Sequence, residues 1–145
     1  MAHAGGDGTG LPPGAAEDLR RLKAEYDNYR RRVRRDRLAV REIAVANVLA
    51  RMLPVLDALD RARAAGEVVD GFGAVAELLE GELAALGLES VGAVGDAFDP
   101  VLHLAIGYTR SAAVDAPVCV EIVRTGYRVG DQLIRPAEVV VAEPP

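Results

Sequence analysis

The sequence predicts an α+β protein in which a long N-terminal helix pairs in a dimer, a four-helix bundle lies at the dimer centre, and a small all-β domain follows. From Ala16 onward there is no proline before Pro54 and no glycine before Gly66, and apolar residues recur in steps of three and four. A second helical pattern follows, and short β-prone segments separated by turn residues fill the chain after Gly87. The expected domains are a disordered leader over residues 1–15, a dimerisation domain over residues 16–87 and a β-domain over residues 88–145.

The composition favours a cytoplasmic protein with one basic and one acidic region. Only 4% of the residues are aromatic, so the core is expected to be aliphatic. Residues 17–42 carry ten basic and six acidic side chains, whereas residues 43–145 carry seven basic and fifteen acidic ones. The single cysteine, Cys119, excludes an intrachain disulfide and suits a reducing cytoplasm. No apolar run reaches the length of about 18 residues that a membrane-spanning helix needs.

The first helix is expected to run from near Ala16 for about 50 residues, which is about 75 Å at 1.5 Å per residue. Its apolar residues form a heptad seam with polar breaks at Asp36 and Asn47, and Pro54 is expected to kink or loosen it. Because the chain has no second long basic helix, a second copy of the chain is the expected partner. The predicted dimer-interface residues are Leu22, Tyr26, Tyr29, Val33, Val40, Ile43, Leu49, Leu53, Leu56, Leu78, Leu79 and Leu83.

A second helix is expected from about Phe72 to Leu86, after a loop over residues 66–71. Gly87 followed by Leu88 has the pattern of a helix C-cap with its hydrophobic contact. Two such helices in each of two chains make a four-helix bundle. The expected strands cover residues 88–94, 102–108, 118–124, 127–129, 132–135 and 138–142.

The end of the chain, residues 126–141, has the pattern of a β-hairpin. Gly130 and Asp131 stand between two apolar-rich runs, which is a strong hairpin signal. Arg135 and Pro136 interrupt the second run, so this arm is expected to be an edge strand or to break there. A short sheet with a polar tip suits docking onto another protein better than enclosing a substrate.

Four sequence blocks in this order resemble the GrpE family, the nucleotide exchange factors of DnaK-type heat-shock chaperones. The blocks are AEYDNYRRR at 24–32, MLPVLDALDRA at 52–62, GLE at 87–89 with GDAFDPVLH at 95–103, and GYRVGDQLIRPAEV at 126–139. The resemblance covers about residues 22–141. Four positions depart from the family pattern: Ala58, Leu104, Gln132 and Glu138 stand where Asn, Glu, Arg and Met are frequent.

The resemblance implies a homodimeric cytoplasmic co-chaperone that is not an enzyme and needs no cofactor. Its β-domain is expected to bind the nucleotide-binding domain of the chaperone, open the cleft and accelerate ADP release so that ATP can rebind. This activity belongs to protein folding and the stress response, and no nucleic-acid or membrane partner is expected. The residues expected to contact the chaperone are Arg31, Arg32, Gly87, His103, Val123, Arg124, Gln132, Ile134, Arg135 and Pro136.

Two other functions stay open. Residues 30–35 include five arginines that could bind nucleic-acid phosphates as part of a coiled coil, although the acidic region argues against it. The chain could also be a family paralogue without exchange activity, because Gln132 lacks the charge-assisted contact that an arginine supplies. An enzyme has no supporting constellation. His103 lacks companions at metal-ligand spacing, and it is expected to make a structural hydrogen bond near the turn at Asp99 and Pro100.

Overall fold

A computed structural model describes residues 1, 10 and 12–145 of the chain. The predicted leader therefore lies mostly outside the described residues. The chain divides into two compact units, Met1–Ala39 and Val40–Pro145. The helices are α1 (Ala15–Ala50), α2 (Leu53–Ala64) and α3 (Asp70–Ala85). The strands are β1 (Leu88–Val91), β2 (His103–Arg110), β3 (Val118–Arg124), β4 (Gly126–Val129), β5 (Gln132–Arg135) and β6 (Ala137–Glu143).

The first unit contains the N-terminal part of α1 and has no apolar core of its own among the described residues. Glu17 and Asp18 occupy the first turn, where negative side chains interact favourably with the helix dipole. From Glu17 to Ala39 every side chain is exposed except Val33, which is half-buried. The apolar seam of this part of the helix is therefore open to solvent within a single chain.

The first helix is shorter than the sequence predicts, so the expected length of about 50 residues is wrong. Helix α1 has 36 residues and ends at Ala50, and α2 begins at Leu53 after a short turn. Pro54 explains the break, because its ring would clash with the carbonyl of the residue four positions earlier, which is Ala50. In the first turn of α2 the same proline costs no helical hydrogen bond.

Helix α3 ends as the sequence predicts. The N–H of Gly87 donates to the carbonyl of Ala84 at 2.9 Å, and the N–H of Leu86 donates to the carbonyl of Glu82 at 3.1 Å. Gly87 has a φ of 97°, in the left-handed region that favours glycine. The following Leu88 is buried, which confirms the predicted C-cap and its hydrophobic contact.

The chain after Gly87 forms an all-β region, as predicted, and this region consists of two three-stranded sheets. Sheet 1 has the order β1-β4-β5 and is antiparallel throughout. Sheet 2 has the order β2-β6-β3, with the central β6 parallel to β2 and antiparallel to β3. The observed strands differ from the predicted ones by a few residues at most.

The predicted terminal hairpin is confirmed, and so is the predicted break in its second arm. Strands β4 and β5 pair across a turn in which Gly130 has a φ of 54°. The chain leaves sheet 1 at Pro136 and enters sheet 2 at Ala137. A Cβ atom at Gly126 would lie only 2.4 Å from the backbone nitrogen of Ala137, so only glycine fits at this crossing.

Two apolar clusters form the core of the second unit. One joins the helices to sheet 1, and the other lies on one face of sheet 2. The sequence assigned four members of the first cluster to the dimer interface, but residues of the same chain already cover their side chains. These four are Leu49, Leu53, Leu56 and Leu83, which are 2–6% exposed. Apolar spacing shows which side of a helix is buried but not which chain covers it, so the part of these four residues in a dimer interface stays a prediction.

Within the described part of the chain, no helix is both long enough and apolar enough to cross a membrane.

Candidate functional site

The outward side of sheet 2 carries apolar side chains that irregular strand pairing exposes. The pairing of β3 with β6 shifts register twice, at Val120 and at Val123, and the pairing of β2 with β6 shifts once, at Ile106. Each of these residues is the extra residue of a β-bulge, a feature that re-aims side chains. Their exposures are 41% for Val120, 50% for Val123 and 51% for Ile106.

The three bulge residues lie on the same face, because each directly follows an inward residue and the bulges interrupt regular alternation. Cys119 and Ile122 pair with Val141 and Val139 and belong to the core of sheet 2. Val120 and Val123 each follow one of these inward residues, so they point to the opposite face. The same holds in β2, where Ile106 follows the inward Ala105.

We call this surface the outer face of sheet 2; its residues are Leu104, Ile106, Val120, Val123 and Arg124. Leu104 pairs with Glu138 at one end and is 51% exposed. Arg124 ends β3, and its guanidinium lies 3.2 Å from Asp57 and 3.6 Å from Glu138. The outer face therefore combines an aliphatic surface with a half-exposed cation. Such a surface suits a protein partner.

Arg135, a predicted contact residue, points into the molecule instead. Its guanidinium makes a two-pronged contact with the carboxylate of Asp57, in which Nη1 donates to Oδ2 at 2.8 Å and Nη2 donates to Oδ1. Its Nε donates to the carbonyl of Thr125 at 2.9 Å, and the guanidinium lies over the ring of Tyr127. Only 15% of the Arg135 side chain is exposed, so its direct role is to hold α2 against the hairpin.

The sequence did not single out Asp57, which proves to be a partner of two predicted contact residues. Hydrogen bonds from Arg135, assisted by Arg124, hold the pKa of the Asp57 carboxyl below its ordinary value. An acidic residue on a helix usually belongs to a solvated face, so nothing local marks Asp57 as different. Its position inside the MLPVLDALDRA block is the one signal that could have drawn attention to it.

The comparisons with known proteins agree with the motif blocks. A family profile described as GrpE matches residues 14–143. The chain belongs to the GrpE family. It is 55% identical over 127 residues to "Protein GrpE" of Streptomyces coelicolor, covering 88% of this chain and 56% of that protein. It is 40% identical over 143 residues to "Protein GrpE" of Mycolicibacterium paratuberculosis, covering 98% of this chain and 62% of that protein. The chain thus spans 56% and 62% of the lengths of these two relatives.

The GrpE-family match includes His103, whose side chain is buried and only 6% exposed. Its Nδ1 accepts a hydrogen bond from the N–H of Asp99 at 3.0 Å, which confirms the predicted structural bond at this turn. The ring stacks on Phe98, and Nδ1 lies 3.7 Å from the sulfur of Cys119. Burial also raises the pKa of the Cys119 thiol. The structure therefore places His103 in the interior rather than on a contact surface.

The other predicted contact residues of this GrpE-family chain fall into three places. Gln132 and Ile134 are half-buried on β5, and Ile134 packs against the core that joins helices to sheet 1. Pro136 is half-buried at the crossing between the sheets, and Gly87 is the helix cap. Arg31 and Arg32 are exposed in the first unit. Of the predicted residues in the second unit, the structure therefore brings Val123 and Arg124 together on one exposed surface.

The GrpE-family chain also exposes an apolar surface on its second and third helices. On α3 the exposed side chains include Phe72 at 49%, Val75 at 61% and Leu78 at 66%, and on α2 Val55 is 46% exposed. Ala76 and Leu83, on an adjoining stripe of α3, pack inward. The apolar surface of the helix is therefore wide, and residues of its own chain cover only part of it.

Among the described residues, no group of three or more His, Cys, Asp or Glu side chains is placed to hold a metal ion.

Proposed function

We propose that this chain is a homodimeric co-chaperone that accelerates ADP release from a DnaK-type chaperone. The observation that carries the proposal is the GrpE-family match over residues 14–143, which contains all the helices and strands of the second unit. The proposed activity makes and breaks no covalent bond, so the chain is a binding protein and not an enzyme. We place it in the cytoplasm, without a nucleic-acid or membrane partner.

The outer face of sheet 2 is the proposed contact with the nucleotide-binding domain of the chaperone. Val123 and Arg124 belong to this face, and Ile106 and Val120 extend it beyond the residues expected from the sequence. Aliphatic side chains there lose water-exposed area on docking, while a half-exposed guanidinium can meet a carboxylate of the partner. Arg31 and Arg32 of the first unit are proposed as a second contact. Residues 88–145 act as the chaperone-binding domain in this proposal.

Exchange follows from a difference in binding free energy. A factor that binds the open-cleft chaperone better than the closed, ADP-holding chaperone shifts the population toward the open form. Lowering ADP affinity by about a thousandfold needs about 4 kcal/mol of such differential binding. The coupling is reciprocal, so ADP weakens binding of the factor by the same ratio.

Dimerisation through residues 16–87 is proposed from the apolar surfaces that one chain leaves open. In the first unit these are Leu22, Tyr26 and Tyr29, and in the second they are the exposed apolar residues of α2 and α3. Pairing two copies of α2 and α3 would bury Phe72, Val75 and Leu78, and the four helices would make the predicted bundle. The core residues Leu49, Leu53, Leu56 and Leu83 support this bundle from within each chain.

Stopped-flow release of a fluorescent ADP analogue from the cognate chaperone tests the exchange activity. We expect Val123→Asp to raise the concentration of factor needed for half-maximal acceleration by about tenfold or more, since it puts a charge within the docking face. Val94→Asp is the matched control, because Val94 is 69% exposed and lies outside that face. No acceleration by the wild-type protein at micromolar concentration contradicts the proposed function.

Sedimentation equilibrium tests the dimer. We expect Leu78→Asp to shift the mass toward the 15.3 kDa of one chain, because the substitution would bury a charge in the bundle. Val101→Asp, at a position that is 73% exposed in a turn, should leave the dimer intact. A wild-type protein that is monomeric at micromolar concentration excludes the proposal.

Replacing Gln132 separates an active factor from an inactive paralogue. If the neutral amide has cost the chain its activity, Gln132→Arg should restore acceleration by supplying a charge-assisted contact. We expect the wild-type protein to be active already. The paralogue becomes the better interpretation only if the arginine variant alone accelerates ADP release.

A further inference from the structure

One carboxylate joins the helical part of the second unit to both of its sheets. Asp57 lies on α2, and its two oxygens accept hydrogen bonds from arginines on two different sheets. Arg135 belongs to β5 in sheet 1, whereas Arg124 belongs to β3 in sheet 2. Each sheet is therefore tied to the same point on the helix.

The chain passes between the two sheets at the place where these arginines stand. Thr125 alone separates β3 from β4, and Pro136 alone separates β5 from β6. The two crossings touch, since a Cβ atom at Gly126 would lie 2.4 Å from the backbone nitrogen of Ala137. The Nε of Arg135 donates to the carbonyl of Thr125, so the same guanidinium binds both a crossing and Asp57.

The ion pair between Asp57 and Arg135 is more buried than a comparable ion pair elsewhere in the second unit. The side chains of Asp57 and Arg135 are each 15% exposed, whereas those of Arg63 and Glu80 are 45% and 40% exposed in a comparable two-pronged pair. An exposed pair contributes little to stability, but removing one partner of a shielded pair leaves the other charge without compensation. Two-pronged arginine contacts also fix orientation, because both planar groups must align.

We propose that Asp57 is a positioning residue that fixes the direction of the outer face of sheet 2 relative to α2. Arg135 holds the crossings against the helix, and Arg124 extends the same contact to the edge of the outer face. The mechanical part of the proposal, that Asp57 fixes this direction, concerns this chain alone. Its consequence for ADP release rests on the proposed function.

Hydrogen exchange measured on the free protein tests the mechanical part. We expect Asp57→Asn to raise amide exchange in strands β4 and β5 by about tenfold, because their attachment to the helix is weakened locally. Amides of the central β6 beyond Val139 should keep their wild-type protection. Asp60→Asn is the matched control: it removes a carboxylate one turn along the same helix, whose contact with Thr125 is long, at 3.5 Å.

Two results would overturn the proposal. A uniform rise in exchange through every strand shows that Asp57 only adds global stability, and unchanged exchange in β4 and β5 shows that it positions nothing. If Asp57→Asn does not fold, Arg135→Lys replaces it, because lysine keeps the charge and loses the planar fork. Arg128→Lys is the control for that variant, since Arg128 makes a similar contact with Glu89 on the exposed side of sheet 1.

The activity measurement then separates the two levels of the proposal. With an active wild-type protein, Asp57→Asn should need about tenfold more factor for half-maximal ADP release, whereas Asp60→Asn should match the wild type. An Asp57→Asn protein with local loosening but wild-type exchange activity refutes the link to docking. If the wild-type protein does not accelerate ADP release, the proposed function fails, and the hydrogen-exchange result still decides whether Asp57 positions the sheets.

Discussion

Two leucines of helix α1 show how the two compact units of this chain differ. Leu38 belongs to the first unit and is 57% exposed, whereas Leu49 belongs to the second and is 2% exposed. Both lie on helix α1, and their residue type is the same. Apolar periodicity therefore predicts the helix in both units, but it does not predict whether the same chain buries the side chain.

Replacing each leucine by alanine measures this difference directly, and it is the largest effect that we expect. Leu49→Ala should lower the free energy of unfolding by about 2–5 kcal/mol, because it opens a cavity beside Leu53 and Val129. Leu38→Ala should change it by less than about 0.5 kcal/mol. Urea denaturation followed by circular dichroism gives both values. Equal losses would show that the first unit has a core that a single chain does not provide.

Two glycines of the second unit, Gly126 and Gly81, test how closely the chain packs around each of them. Gly126→Ala should destabilise the protein by about 1–3 kcal/mol, because its Cβ would clash with the backbone of Ala137. Gly81→Ala should instead stabilise it by about 0.5–1 kcal/mol, since Gly81 lies in α3 with open space around it. Thermal unfolding midpoints of the two variants should move in opposite directions. A tolerated Gly126→Ala would mean that the crossings between the sheets are looser than the structure indicates.

Lowering the pH tests the ion pairs of Asp57 in the second unit, and we expect it to change stability less than the substitutions above. The pKa of the Asp57 carboxyl is lowered in the folded chain from the ordinary value of 3.8, mainly by hydrogen bonds from Arg135. Its stabilising contribution is therefore present above about pH 4 and is lost as the pH falls through the folded pKa. The difference in urea midpoint between the wild type and Asp57→Asn should be constant from about pH 8 to 5 and should shrink near pH 3. A difference that grows in acid contradicts the lowered pKa.

Local signals explain which parts of this fold could be predicted from the sequence. Gly130 with Asp131 marks a hairpin, Pro136 marks the end of its second arm, and Gly87 marks a helix end. Each of these depends on backbone geometry within a few residues. The break between α1 and α2 was only partly predicted, because Pro54 permits either a kinked helix or two separate helices.

The candidate site could be predicted less well because it depends on distant pairing. Asp57 and Arg135 are 78 residues apart in the chain, and nothing local in either neighbourhood indicates the other. The bulges that expose Ile106 and Val120 arise from register with β6, which no strand propensity encodes. The resemblance nevertheless named Val123 and Arg124, which do lie on that exposed face.

Thermal unfolding compares the stabilities of the two units, and it gives the smallest effect that we expect. In the first unit the helix has no buried side chain to stabilise it within one chain, and helices in proteins depend mostly on packing. The proposed pairing with a second copy is also weakened, because the seam is interrupted by Asp36 and Asn47. Helical circular dichroism should therefore fall gradually before the cooperative transition of the second unit. A single cooperative transition would show that pairing stabilises the first unit as strongly as the core stabilises the second.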